Sequence, residues 1–126
     1  MAGGESGDEG VGLSDDGSVW GAVEGARQWL DRSNGVAPVE LTCRILKVTE
    51  EAGEAAQAWI GVLGQNPRKG VTHSREQVAA ELADVAFTAL VAIASIGVDP
   101  REALTACAGK VGARLVSEAP PGNAAD

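Results

Sequence analysis

Apolar residues recur every three or four positions over four separate stretches, and no stretch alternates apolar with polar at period two. The first helix is predicted over residues 18–33. Ser18 serves as its cap, Val19, Val23, Ala26 and Leu30 recur along it, Trp20 and Trp29 are within it, and Asn34-Gly35 stops it. Pro38 suits a first turn, so a second helix follows over 39–64. Its apolar stripe is Leu41, Ile45, Val48, Ala52, Ala55, Ala56, Trp59 and Leu63, which fall within an arc of about 100°. After a Pro67- and Gly70-punctuated loop, Ser74 and Gln77 form a capping box for a third helix reaching about Ile96. Gly97 ends it, and Asp99-Pro100-Arg101-Glu102 supplies the cap, first-turn proline and third-position acid of a fourth helix to about Val116.

This pattern predicts an all-α fold: a four-helix bundle of antiparallel helices. The third helix carries Val78, Leu82, Val85, Ala89, Ile93 and Ile96 on one side, with Phe87, Leu90, Val91 and Ala94 on the others. A helix apolar nearly all round needs cover all round, which a chain of 126 residues provides poorly alone. A second copy is therefore expected to complete the bundle by dimerisation.

Length supports one domain with one modest core. The net charge of −8 belongs to the ends: residues 1–17 hold five acids and no base, and 117–126 hold two acids and no base. The middle, 18–116, has eleven acids against ten bases and shows no clustered basic face, which argues against nucleic acid. The Gly-, Ser- and acid-rich stretch 1–17 and the Pro120-Pro121-Gly122 tail read as a disordered leader and tail flanking the folded domain. Cys43 and Cys107 have no metal-type spacing, and no secretory signal precedes the first helix, so a reduced cytoplasm is the economical location. The longest apolar run, 85–96, is short for a membrane span and carries Thr88 and Ser95.

The chemistry lies in two acidic pairs. Glu51 and Glu54 are i, i+3 on the second helix, on the flank of its apolar arc with Arg44 and Lys47; Glu81 and Asp84 bear the same relation to the third. Antiparallel packing of the two helices lets the pairs face each other, offering an oxygen-only site suited to Mg²⁺ or Mn²⁺. Solvated surface is the competing reading of any one pair, and pattern alone leaves both open.

The string Glu50-Glu51-Ala-Gly-Glu54, followed after 26 residues by Glu81-Leu-Ala-Asp84, resembles the Glu-Glu-x-x-Glu … Glu-x-x-Asp signature of the all-alpha nucleoside triphosphate pyrophosphatases. This MazG-like superfamily includes dimeric dUTPases, dCTP pyrophosphatases and phosphoribosyl-ATP pyrophosphatase. The resemblance spans roughly residues 18–116. It implies that Glu51, Glu54, Glu81 and Asp84 coordinate Mg²⁺, and that Glu50 is a further ligand or orients water. It also implies a catalytic group of Glu50, Glu51 and Glu54, cleaving a (deoxy)nucleoside triphosphate to the monophosphate and pyrophosphate in nucleotide-pool house-cleaning. A phosphoribosyl-ATP pyrophosphatase-like enzyme shares that chemistry, and the expected assembly is a homodimer or dimer of dimers.

Around this centre Lys47 either contacts phosphate or forms a salt bridge with Glu51 or Glu54, and Trp29 or Trp20 either stacks on a base or packs. Arg68 and Lys69, or Lys110 and Arg114, either neutralise polyphosphate or are solvated. His73 reads as a loop residue and Trp59 as core. The loop 65–72 lacks the Gly-Lys-Ser/Thr order of a P-loop and follows a helix. A di-iron bundle needs Glu-x-x-His motifs, which the one histidine does not make. A non-catalytic helical dimer that binds nucleotide or protein with a vestigial metal site is the remaining alternative, disfavoured by the intact carboxylate set.

Overall fold

The computed structural model describes residues 15–118, and these form four helices with no strand among them: α1 (Asp15–Asn34), α2 (Pro38–Leu63), α3 (Arg75–Ser95) and α4 (Pro100–Glu118). Of the expected leader over 1–17 and tail over 117–126, residues 1–14 and 119–126 lie outside the described residues. Helix α1 starts three residues before the expected Ser18, which is inside it, and α4 runs two residues past Val116.

Local chemistry sets most of the boundaries. The Ser74 hydroxyl accepts a hydrogen bond from the Gln77 backbone N–H at 3.2 Å, and the Gln77 carboxamide oxygen accepts one from the Ser74 N–H at 2.8 Å. Asp99 Oδ1 accepts from the N–H groups of Arg101 and Glu102, at 2.8 and 3.1 Å, and so caps α4. At the far end of α2, Gly64 takes a left-handed conformation at φ 63°, and its N–H bonds to the Ile60 carbonyl.

Helices α2 and α3 form the principal interface, while α1 and α4 also pack on α3. Helix α3 is long and apolar enough to cross a membrane by length and composition, and although three helices lie against it, only Val91 and Ala92 are buried on it while Leu82 and Phe87 stay exposed in the single chain. Val23, Ala55, Ala58, Val91 and Ala92 are the buried apolar residues. The expected face of α2 holds in part: of its stripe Ala55 is buried and Leu41 and Val48 are half-buried, but Ile45, Trp59 and Leu63 remain exposed, and Arg44, Ala58 and Gly61 from outside the stripe are buried. At about 100° per residue Arg44, Ala58 and Gly61 lie beyond the Ala55 edge of the apolar arc, so the buried side is turned toward that edge.

Arg44 explains the rotation. It is 5 % exposed and donates to Asp31 Oδ1 (2.7 Å) on α1, Glu40 Oε1 (3.1 Å) on α2, the Gly35 carbonyl (2.9 Å) and Ser95 Oγ (3.1 Å) on α3. A buried guanidinium must have its donors satisfied. These partners supply that and tie three helices at one point.

Candidate active site

The α2–α3 interface brings Glu51, Glu81 and Asp84 together, with one carboxylate oxygen from each lying within 4.8 Å of the others. Glu51 is reached from the inward face of α2 and is 13 % exposed. Glu81 Oε2 is buried without a hydrogen-bond partner among the described residues. A buried carboxylate oxygen left unpaired beside two further carboxylates is costly unless a cation joins them.

Glu54, the fourth expected ligand, is exposed and stands outside that tight trio. It still feels the cluster. Its carboxyl is held above the ordinary range first by the charge of Glu51, then by partial desolvation, a hydrogen bond with Glu51, and the charges of Glu81 and Glu50. Glu50 is 63 % exposed and turned toward Lys47, whose Nζ is 3.5 Å from it and 3.4 Å from Glu51. Both acids, Glu50 first, hold the Lys47 ammonium above its ordinary value. Lys47 thus forms the salt bridge that its spacing allowed, and it reaches the cluster only from the edge.

Lys47 and Arg44 also line a cavity of about 270 Å³ with Ala26, Trp29, Thr88 and Phe87. Trp29, 61 % exposed, stands on its rim, so two of the expected substrate-binding residues share one cavity beside the carboxylates. Thr88 was not anticipated, although its place one turn after Asp84 was a usable signal. Lys110 is exposed on α4 and lines none of the three described cavities.

Four carboxylates on facing helices and a neighbouring cavity are what a metal-assisted attack on a phosphorus anhydride requires, and the sequence match agrees. The match is to phosphoribosyl-ATP pyrophosphohydrolase and covers residues 33–109, more than half of the chain, including both acidic pairs. The chain belongs to this family. Phosphoribosyl-ATP pyrophosphohydrolases are part of the all-alpha nucleoside triphosphate pyrophosphatase superfamily with MazG, so the resemblance drawn from the acidic motifs holds. The membership makes the chain a hydrolase of phosphorus anhydrides in nucleoside-triphosphate-like substrates, within a family that is generally metal-dependent. Neither the curated proteins nor the solved structures provide a match. Trp29 and Lys110 fall just outside the matched span.

The residues fit a divalent cation. The donors are all hard carboxylate oxygens, three already converge, and the unpaired Glu81 Oε2 is the kind of atom a cation would satisfy. Glu51, Glu81 and Asp84 would hold it.

Proposed function

We propose that this protein is a Mg²⁺-dependent pyrophosphohydrolase that cleaves a (deoxy)nucleoside triphosphate between the α- and β-phosphates, giving the monophosphate and pyrophosphate. The single observation carrying this reading is the convergence of Glu51, Glu81 and Asp84 between α2 and α3. Mg²⁺, or Mn²⁺ in its place, neutralises phosphate charge, polarises the phosphoryl group and lowers the pKa of water.

The chain's own residues do the rest. Glu51, Glu81 and Asp84 would hold the cation at the α2–α3 seam, and so set where the reacting phosphate binds. Glu54, at the open edge, takes a proton from the attacking water, and Glu50 holds Lys47 in register with Glu51. The cavity beside Lys47 suits a nucleobase: Ala26, Leu30, Phe87 and Val91 supply apolar contact, Trp29 a stacking face, and Thr88 a hydroxyl.

The family match itself favours a second reading of the substrate, a phosphoribosyl-ATP-like nucleotide cleaved by the same chemistry. One panel decides between them: canonical and modified nucleoside triphosphates and phosphoribosyl-ATP, with and without Mg²⁺, scored for pyrophosphate. Orthophosphate release, or turnover that persists in chelator, defeats the proposed chemistry.

Two further parts of the reading concern assembly and location. The exposed Ile45, Trp59 and Leu63 of α2 continue a regular apolar stripe that a second copy would cover. Cys43 and Cys107, both free and exposed, suit a reducing cytoplasm.

A further inference from the structure

A second cavity, about 290 Å³, lies where the α2–α3 loop folds back on the end of α2, lined by Gln57, Gln65, Asn66, Lys69, Thr72 and His73 around Gly61. Its construction is specific. The Thr72 N–H donates to the Gly61 carbonyl at 2.9 Å, pinning the loop to the helix. A Cβ on Gly61 would collide with the His73 ring and the Thr72 hydroxyl, so only glycine lets the loop approach this closely. The Thr72 hydroxyl engages His73 Nδ1 at 2.8 Å and fixes the imidazole, while Nε2 has no hydrogen bond among the described residues.

The chemical character of the lining is distinctive in a chain of net charge −8: it contains no carboxylate. Lys69, the carboxamides of Gln57 and Gln65 and the imidazole supply donors, and Lys69 makes no ion pair among the described residues. A concave, donor-rich, acid-free surface binds anions.

Position then names the anion. Along α2 the residues Lys47, Glu51, Glu54, Gln57 and Gly61 follow one another at spacings of four, three, three and four, which keeps them on one side of the helix over about 21 Å. The apolar cavity adjoins Lys47, the carboxylates occupy the middle, and this polar cavity begins at Gln57, one turn beyond Glu54. An extended nucleoside triphosphate has the same order of parts. Resting on the pyrophosphohydrolase reading above, we infer that the cavity around Lys69 and His73 receives the β- and γ-phosphates of the substrate and holds the departing pyrophosphate. In the balanced reaction water adds to the α-phosphorus, the bond from it to the bridging oxygen breaks, and that oxygen leaves with pyrophosphate into this cavity. Glu54, one turn before Gln57, repels an uncompensated anion, so occupancy requires Mg²⁺ on the carboxylates.

The test uses the full chain, with Mg²⁺ and inorganic pyrophosphate as the probe. Calorimetric titration is compared for wild type, Lys69→Met, His73→Gln and Arg32→Met, the last an exposed charge on α1. Losing one charge-assisted contact should weaken pyrophosphate about tenfold in Lys69→Met and less in His73→Gln, with Arg32→Met unchanged. Nucleoside monophosphate, which does not reach the cavity, should bind all four alike. Absence of pyrophosphate binding to wild type, or equal binding to wild type and Lys69→Met, overturns the assignment. Turnover measured in parallel separates the two ideas: pyrophosphate bound through Lys69 without hydrolysis of any nucleotide removes the enzymatic reading and leaves the anion cavity standing.

Discussion

Glu54 lies one turn after Glu51 on α2, and the charge of Glu51 is the leading reason that the Glu54 carboxyl binds its proton more tightly than an ordinary one. The pair is mutually repulsive until a cation neutralises it. In chelator, Glu54→Gln is therefore expected to raise the melting temperature at neutral pH, because the neutral amide removes a repulsion. The same substitution should shrink the stabilisation gained on adding Mg²⁺ and reduce turnover by at least about 100-fold. Thermal shifts with and without Mg²⁺, beside a pyrophosphate-release assay, measure all three. A Mg²⁺ shift equal to that of wild type would remove Glu54 from the cation site.

Acid should act in opposite directions on two carboxyl groups. Glu40 is held below its ordinary value of 4.5, first by its hydrogen bond from Asn34 and then by the one from Arg44. Its folded pKa is depressed, so its contribution is complete above the unfolded value and is lost as pH falls through the folded one. Glu54 is raised, so the metal-free folded state gains from its protonation as pH falls through that raised value. Melting curves should show Glu40→Gln less stable than wild type at pH 6, with the gap closing as the pH falls below the ordinary 4.5 and through the depressed folded value. A constant gap across that range would assign the loss to packing instead of charge.

The parts of this fold that were legible are those fixed by residues close in sequence. The Ser74 and Gln77 box, the Asp99 cap and the Gly64 stop each act within four residues, and all three helix ends are where they were expected. The facing of α2 was legible only in part. Apolar periodicity placed Ala55, Leu41 and Val48 correctly but also assigned the inward side to Ile45, Trp59 and Leu63, which Arg44 displaces through Asp31, 13 residues away, and Ser95, 51 residues away. No local pattern announces such partners. The rotation takes Glu51 inward and leaves Glu50 facing Lys47, so spacing alone found the acidic pairs without saying which of their oxygens converge.

Arg44 should be the most sensitive polar position in the bundle. Arg44→Met keeps an apolar stem but removes four hydrogen bonds and strands Asp31 and Glu40 without their shared cation. Breaking a buried ion pair from one side costs about 3 kcal/mol. Urea denaturation should show the midpoint falling with an unchanged slope. A loss under about 1 kcal/mol would mean that its partners are solvated as well without it.

Trp29 tests the nucleobase cavity independently of the metal. It is on the cavity rim, where stacking contributes about 1–3 kcal/mol per base. Trp29→Ala should raise KM about tenfold or more while leaving the Mg²⁺ dependence alone, and Trp29→Phe should recover part of the loss. Binding of nucleotide to wild type should also quench tryptophan fluorescence, an effect largely missing in Trp29→Phe. Unaltered KM in the alanine variant would place the base elsewhere.

The exposed stripe of α2 predicts the state of assembly. Ile45, Trp59 and Leu63 recur along one side of the helix yet are 49, 39 and 60 % exposed in the single chain, while Arg75 is stacked over the Trp59 ring at 5.3 Å. Covering a leucine or isoleucine side chain contributes about 1.5–3 kcal/mol, and a symmetric interface counts each residue twice. Wild type should therefore sediment at a multiple of its 12.8 kDa protomer mass. Leu63→Asp, paired with Ile45→Asp, would place charges across a two-fold contact and should shift that mass to the monomer while helicity by circular dichroism persists. The helices bearing Glu51 and Glu81 make their own contacts within one chain, so Mg²⁺ binding should survive in the monomer. A wild type that sediments as a monomer at tens of micromolar would rule out a second copy as the cover for this stripe.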